Sequence, residues 1–369
     1  MLSPISSSDL NCFSQDYISA REKILAAFNS ASCELEKQHS VFKHPLTGPT
    51  GEDLICDTFY IGHNREPEQL LVLISATHGV EGFAGSAVQI DCLTQLDIFL
   101  DQYKTLGVIL IHALNPWGFA WQRRYDHQGI DLNRNFVDFN LPLPGNHEFD
   151  NYRHRLSDPQ FLNLEHIHQL WTSSGEAEFT EALTRGQYQY DTDCFYGGNG
   201  PSWSRTVIEQ ITSMQQIAQA KQLAVIDLHS GLGPYGYGEV INDHLPETMG
   251  YRYAQTWYGN NSQSTVLGDA CSGIKTGLLD YHWHQVIDNR GCFVTLEFGT
   301  YSIKHFWMSL LAEQLYTNEI LRKGTSRDLC HSSVTELKNF FYPDELSWQQ
   351  QVIFRGRQIC DLAITGMMQ

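Results

Sequence analysis

Several features that would assign the chain to a well-marked class of protein are absent or scarce. Its nine cysteines are an odd number and form no Cys-x-x-Cys pair, which argues against a disulfide framework and favours reduced thiols. No apolar run approaches the roughly 20 residues of a membrane helix. The first residues have neither a basic start nor an apolar stretch, so we expect no secretory signal. These absences predict a soluble, cytoplasmic protein.

Basic residues are also scarce. The chain has 24 lysines and arginines against 42 acidic residues, and its net charge is −18. Nucleic-acid phosphates and anionic membrane surfaces would be repelled by this balance, so we expect neither as a partner. An anionic substrate would need a local basic pocket, and nothing in the sequence indicates an oligomeric state.

The chain is long enough, at 369 residues with 42% hydrophobic residues, to bury a large core. Apolar runs of strand length alternate with amphipathic segments, which predicts an α/β sheet with helices on its faces. The predicted strands are 54–61, 70–75, 107–113, 223–228 and 292–298. The predicted helices are 16–28, 85–100, 205–221, 248–258, 303–321 and 348–364.

Two segments depart from this alternation. Residues 138–204 mix aromatic residues with Asn, Gly, Pro and His without a clean period; a loop of that length is usually functional or contains short helices. We interpret it as an insertion over one end of the sheet. The segment after about residue 320 is predicted to be a C-terminal helical extension, and residues 1–369 to be one catalytic domain.

A His-x-x-Glu spacing is the first candidate for metal chemistry. It occurs three times, at His63…Glu66, His78…Glu81 and His244…Glu247. Only His78 directly follows an apolar strand, in a Gly-rich turn before a predicted helix, where ligands of α/β sheets bind. We interpret His78 and Glu81 as candidate ligands; the alternative is two polar residues at the end of a strand.

Two further strands end in, or contain, a polar residue. His229 follows 223–228, and although a lone histidine there is more often structural, it would complete a two-His, one-carboxylate set. Such a set leaves a coordination position open for water, as in a catalytic zinc site. Glu297 lies within an apolar strand, where burial is costly unless the carboxylate is paired or functional.

The segment 115–136 follows the strand 107–113 and contains three arginines. They would form a local cationic pocket in an acidic protein. Arg134, helped by the Asn133 amide, could clamp a substrate carboxylate with two parallel hydrogen bonds, and Arg124 could face an oxyanion. The alternative for each arginine is an ion pair with a surface carboxylate.

Taken in order, these motifs resemble the zinc carboxypeptidase family, in particular a bacterial branch of it, with succinylglutamate desuccinylase and aspartoacylase as relatives. The residues that carry the resemblance, over roughly 50–315, are His78-x-x-Glu81, Asn115-Pro116-x-Gly118, Arg124, Asp131-Leu132-Asn133-Arg134-Asn135-Phe136, His229 and Glu297. Motifs in the right order are more specific than any one alone. The resemblance implies a mixed, mostly parallel, twisted sheet with helices on both faces.

The resemblance also implies roles for the site residues. One zinc ion per chain would be held by His78, Glu81 and His229. Glu297 would be the general base, and Asp131 would orient the first ligand histidine.

The substrate contacts follow from the same resemblance. Arg124 would polarise the scissile carbonyl, while Asn133 and Arg134 hold the terminal carboxylate. Tyr281 is the nearest candidate for the tyrosine that digestive members place on a mobile loop.

The predicted function is that of a zinc metallopeptidase, a metallocarboxypeptidase that acts on peptide C-termini next to a free carboxylate. One alternative is an amidohydrolase of N-acyl amino acids, as in the desuccinylase and aspartoacylase relatives. Another is a catalytically silent carboxylate-binding protein, against which the presence of Glu297 speaks. A second metal site at His147 and Glu148 with His166 and His168 is conceivable, but their spacing does not compel it.

Overall fold

The computed structural model of the chain describes residues 5–156, 165, 169, 171–172 and 175–369. Within these residues eight strands form a single sheet: β1 Glu36–Thr47, β2 Asp53–Gly62, β3 Gln69–Ser75, β4 Leu106–His112, β5 Gln222–Gly231, β6 Gly238–Asn242, β7 Ser262–Ser264 and β8 Gly291–Gly299. Their order across the sheet is β1-β2-β4-β3-β5-β8-β6-β7. The β1–β2, β2–β4 and β6–β8 pairs are antiparallel and the other pairs are parallel. The sheet is therefore mixed and mostly parallel.

Several of the helices that surround the sheet begin at recognisable capping residues. Their bounds are α1 Tyr17–Ser30, α2 Gly82–Gln102, α3 Pro116–Ala120, α4 His147–Leu156, α5 Glu176–Thr184, α6 Trp203–Thr212, α7 Gln215–Gln219, α8 Met249–Tyr258, α9 Leu279–Ile287, α10 Ile303–Lys323, α11 Ser332–Phe341 and α12 Leu346–Met367. The side chains of Asp16, Ser202 and Ser302 accept backbone N–H bonds at the starts of α1, α6 and α10, which satisfies donors with no partner inside the helix. In the part of the chain that the structure describes, no helix is long and apolar enough to cross a membrane.

The central strand β3 shows why the sheet is covered on both faces. Leu71 and Leu73 belong to a core shared with α1, α2, α8 and α12. Leu70, Val72 and Ile74 belong to a second core shared with α6 and α9. Successive strand residues point to opposite faces, so an uninterrupted apolar run places helices on both sides. The predicted fold class, α/β with helices on both faces of a mostly parallel sheet, is confirmed.

The five predicted strands are all present, with ends displaced by a few residues, but three strands were missed. β1 is an edge strand with mostly exposed side chains, so it lacks the apolar period by which a strand is recognised. β6 and β7 are too short to show a period. The predicted helix 205–221 is two helices, α6 and α7, and the bounds of α3, α4, α5, α9 and α11 were not predicted.

The described part of the segment 138–204 packs beside α10. The rings of Phe179 and Phe195 lie edge-on to the Trp307 ring, with centroids 5.2 and 6.0 Å apart. These side chains belong to a third apolar core, which α11 also enters. The described part of the segment is thus held to the rest of the chain by aromatic packing.

Much of the chain after residue 320 is helical and packs on the sheet. Helix α12 contacts β3 and β5, and its Val352 and Ile353 are buried in the first core. The buried Trp348 donates its indole N–H to the carbonyl oxygen of Gly299, at the end of β8, over 2.9 Å. This helix therefore helps to hold the strands whose ends carry His78, His229 and Glu297.

Candidate metal centre and substrate cavity

The turn after β3 places His78 and Glu81 at the carboxyl edge of the sheet. Glu81 ends a short 3₁₀ turn, Gly79–Glu81, that leads directly into α2. A Cβ atom on Gly79 would lie 2.1 Å from the carbonyl carbon of Gly118, so only glycine permits this close approach. The backbone N–H of Gly79 donates to the carbonyl oxygen of Arg124 over 3.0 Å. The turn is thereby joined to the segment that carries the arginines.

Both histidines direct the same ring nitrogen towards Glu81. His78 Nδ1 lies 3.1 Å from Glu81 Oε1, and His229 Nδ1 lies 3.0 Å from Glu81 Oε2. One ligand atom from each of the three residues lies within 4.8 Å of the others, and all three side chains are buried. Ligand atoms about 2.0–2.1 Å from a tetrahedral metal are about 3.3 Å apart. The spacing therefore fits a zinc ion.

The opposite ring nitrogens are bound by aspartates. His78 Nε2 lies 2.9 Å from Asp131 Oδ1, and His229 Nε2 lies 2.7 Å from Asp227 Oδ2. An Nε2–H that donates to a carboxylate leaves the Nδ1 lone pair for a metal. Within the described residues, the buried His78 Nδ1 has no hydrogen-bond partner. An unpaired buried acceptor is costly, and a metal ion at this position would satisfy it.

Asp227 was not among the residues predicted from the sequence. It lies two positions before His229 on β5, so both side chains point to the same face of the sheet. Its other oxygen accepts a hydrogen bond of 2.8 Å from the Thr77 hydroxyl. The Asp-x-His spacing on one strand was the available signal.

We expect Asp227→Asn to weaken zinc binding, because the amide removes the negative charge that holds the His229 Nε2 proton. Loss of such a partner typically costs about 10–100-fold in metal affinity. Competition titration against a chromophoric zinc chelator measures the effect. The matched control is Asp57→Asn, which changes a buried aspartate bound instead to Arg21 and His39. Equal zinc affinity in Asp227→Asn and the wild type would contradict this role.

Arg124 lies between two of the carboxylates. Its Nη1 donates to Glu81 Oε1 over 2.8 Å and its Nε to Asp131 Oδ2 over 3.2 Å. Burial alone would lower the pKa of Arg124, but Asp131 and Glu81 raise it above its ordinary value. Arg124 is therefore a fixed positive charge beside the candidate metal ligands.

Glu297 projects from β8 and pairs in register with His229 on β5. Its Oε1 accepts a hydrogen bond of 2.9 Å from the backbone N–H of Leu232. Burial, together with the nearby charge of Glu81, raises the pKa of Glu297 to about 7. A carboxylate with a pKa near neutrality can both accept and return a proton.

One cavity connects these groups to the predicted carboxylate-binding residues. It is lined by His78, Glu81, Arg124, Asn133, Arg134, His229 and Glu297, together with residues from α5 and α9. The structure thus brings together all the predicted ligand, catalytic and substrate residues except Tyr281. The Asp131 carboxylate lies behind His78 rather than in the cavity wall.

Arg134 is held in the cavity wall by backbone carbonyl groups. Its Nε and Nη2 donate to the carbonyl oxygen of Thr184, at the end of α5, over 3.0 and 2.6 Å. Among the residues with described positions, no carboxylate forms an ion pair with it. The Thr184 carbonyl group therefore orients Arg134 without adding a negative charge beside it, a contribution that sequence patterns could not reveal.

Tyr281 lies elsewhere. Its hydroxyl donates to the carbonyl oxygen of Lys275 over 2.8 Å, and the residue does not line the cavity. The second predicted metal site is also not assembled by described residues: His147 is almost fully exposed, and His166 and His168 lie outside the described residues. Over the described ranges, His78, Glu81 and His229 are the one group with metal-ligand geometry.

Solved structures similar to this chain include both groups that the motifs resemble. Carboxypeptidase A from Helicoverpa armigera is 12% identical, with 95% of this chain and 74% of that chain covered and a TM-score of 0.46. A metallo-carboxypeptidase from Pseudomonas aeruginosa is 13% identical, with 98% of this chain and 70% of that chain covered and a TM-score of 0.42. Succinylglutamate desuccinylase from Chromobacterium violaceum is 13% identical, with 86% of this chain and 70% of that chain covered and a TM-score of 0.35.

Sequence comparison assigns the chain to a family without assigning an activity. No curated protein matches the sequence. A family model described as "Protein of unknown function (DUF2817)" matches residues 13–355. Since the match spans most of the sequence, the chain belongs to the DUF2817 family.

Proposed function

We propose that the protein is a zinc-dependent hydrolase that cleaves an amide bond next to a free carboxylate, as a metallocarboxypeptidase does. The observation that supports this function most is the convergence in one cavity of a ligand set, a carboxylate outside that set and an arginine with no ion-pair partner among the described residues. His78, Glu81 and His229 would hold the zinc. Bound zinc supplies Lewis acidity and lowers the pKa of a coordinated water to about 7.

Glu297 is assigned the proton transfers. It accepts a proton from the attacking water and passes it to the leaving amine, so one group acts first as base and then as acid. The Leu232 N–H holds one carboxylate oxygen, which orients the group. Burial keeps its pKa near the pH at which both transfers are needed.

Arg124 is assigned to the negative charge that develops on the carbonyl oxygen. It lines the cavity and its charge is fixed by Glu81 and Asp131. A preorganised donor of this kind typically contributes about 2.7–4 kcal/mol.

Arg134 is assigned the role of binding the substrate carboxylate, and the Arg134→Gln variant tests that role. Hydrogen bonds to charged groups are worth about 1.5–3 kcal/mol, so we expect kcat/KM to fall about 10- to 150-fold, mainly through KM. The control is a substrate with its carboxylate blocked as an amide. In the wild type, blocking the substrate carboxylate should lower kcat/KM about as much as the Arg134→Gln substitution does. In the variant, blocking should lower kcat/KM little further. If the substitution and the blocked carboxylate lowered kcat/KM independently and additively, Arg134 would not contact the carboxylate.

The function is tested with zinc-loaded wild type and Glu297→Gln in a mixed pool of short peptides and N-acyl amino acids, followed by mass spectrometry. Loss of single C-terminal residues in the wild type alone would support the carboxypeptidase. Release of acyl groups alone would replace it with an amidohydrolase of N-acyl amino acids. If wild type and Glu297→Gln left the same compounds in the pool, the protein would not be a hydrolase of these substrates, and a carboxylate-binding protein would be favoured.

A further inference from the structure

The cavity extends past Arg134 to two aspartates that the mechanism does not use. Asp243 directly follows β6, and Asp280 lies in the first turn of α9; both line the same cavity as the candidate metal ligands. Asn133 Oδ1 accepts a hydrogen bond of 2.8 Å from the backbone N–H of Leu279. This bond ties the start of α9, where Asp280 lies, to the segment that carries Arg134.

Asp280 is a buried carboxyl group for which the described residues provide no hydrogen-bond donor. It is 2% exposed, and neither of its carboxylate oxygens has a hydrogen-bond partner among the described residues. The His284 Nε2 atom is 3.9 Å from Oδ2, too far for a hydrogen bond. Asp243 is half-buried and accepts a hydrogen bond from the Thr265 hydroxyl. The wall of the cavity therefore contains two neighbouring carboxyl groups, and the buried one has no hydrogen-bond donor among the described residues.

Neighbouring cations do not neutralise this pair by contact. Arg134 and Lys275 line the same cavity, but within the described ranges neither forms an ion pair with Asp243 or Asp280. Burial and the Asp243 carboxylate raise the pKa of Asp280, and burial lowers the pKa of Lys275 to about 7. A buried carboxylate pair is stabilised when a cation is placed beside it, and a ligand can supply that cation.

We propose that the Asp243–Asp280 pair is a subsite for a cationic side chain on the residue released by the enzyme, so that the substrate ends in a lysine-like residue. This inference rests on the proposed function, in which Arg134 holds the carboxylate of that same residue. Asp243 is the more exposed member of the pair, and Asp280 is the buried carboxyl group beside it. The opposite assignment, in which Lys275 and Arg134 together receive a second carboxylate, predicts a glutamate-like residue instead.

The test compares three substrates that differ only in the terminal residue: benzoylglycyl-lysine, benzoylglycyl-norleucine and benzoylglycyl-glutamate. Wild type should cleave the lysine substrate with kcat/KM about tenfold or more above that of the norleucine substrate, as expected for a charged contact. Asp243→Asn and Asp280→Asn should each reduce this ratio towards one. The control is Asp288→Asn, which removes an exposed aspartate just after α9, outside the cavity, and should retain the ratio. Thermal unfolding of each variant establishes that it is folded.

Binding measurements separate failure of the subsite from failure of the hydrolase. Calorimetric titration of Glu297→Gln with the same three compounds should show the lysine compound binding tightest, whether or not the wild type turns any of them over. Lysine-selective binding without turnover would retain the subsite and reject the hydrolase. Turnover with equal or glutamate-preferring selectivity, or a lysine preference that survives in both aspartate variants, would overturn the subsite and leave the hydrolase standing.

Discussion

Glu297→Gln should lose turnover while it keeps zinc. The amide has the size of the carboxylate, and its oxygen can still accept the Leu232 N–H bond, so the fold and the ligand set remain in place. An amide cannot take a proton from water near neutral pH. General acid–base catalysis is worth about 10²–10⁴-fold, and we expect kcat to fall by an amount in that range. Single-turnover hydrolysis and zinc content by mass spectrometry measure the two effects separately.

The control for this variant is Glu239→Gln on the neighbouring strand β6. Glu239 is a buried glutamate that pairs in register with Glu297. Its Oε1 likewise accepts a backbone N–H bond, from Cys271, but it does not line the cavity. The same chemical change there should leave kcat at the wild-type value. If Glu297→Gln turned over substrate normally, the assignment of the proton transfers would be wrong.

His78→Ala should lose zinc and activity together. Catalytic zinc sites use three protein ligands, and the variant retains two, Glu81 and His229. Zinc that binds only the folded state stabilises it by about 2.7 kcal/mol when its concentration is 100 times Kd. We therefore expect zinc to raise the Tm of the wild type and to leave the Tm of the variant nearly unchanged.

A buried histidine on the next strand provides the control for this second experiment. His112 ends β4, is fully buried and pairs with the Ser86 hydroxyl over 2.9 Å. His112→Ala should lose stability for reasons of packing yet retain the zinc-dependent rise in Tm. If zinc raised the Tm of His78→Ala as much as that of the wild type, the metal would not be bound by the assigned ligands.

The strands that carry the site were predictable because their signals are local. β3, β5 and β8 are apolar runs buried on both faces, and each ends in or near a polar residue that has no role in a core. Parallel strands bring their carboxyl ends to one edge of a sheet, so His78, His229 and Glu297 were expected to meet there. The structure places them together in one cavity.

The partners of those residues were decided by the tertiary structure. Asp131 contacts His78 although 53 positions of sequence separate the two residues. On β5, Asp227 orients the ring of His229 because the turn after β3 brings Thr77 to Asp227 and Glu81 to His229. The Thr184 carbonyl comes from a segment without a clean period. Hydrogen bonds of this kind depend on distances and angles set by packing, which the types of residue do not specify.

Asp243 and Asp280 also show what the sequence alone did not reveal. Asp243 directly follows strand β6, and Asp280 lies in the first turn of helix α9. Sequence periodicity detected neither element, because β6 is short and α9 is a brief segment rich in aromatic residues. By itself the sequence determined the α/β class and the candidate metal ligands, since apolar period and strand-end residues are local properties. Only the tertiary structure decided which ring nitrogens face inward, where Tyr281 lies and which carboxylates reach the cavity, because burial and long-range contacts exist only after the sheet and its helices have assembled.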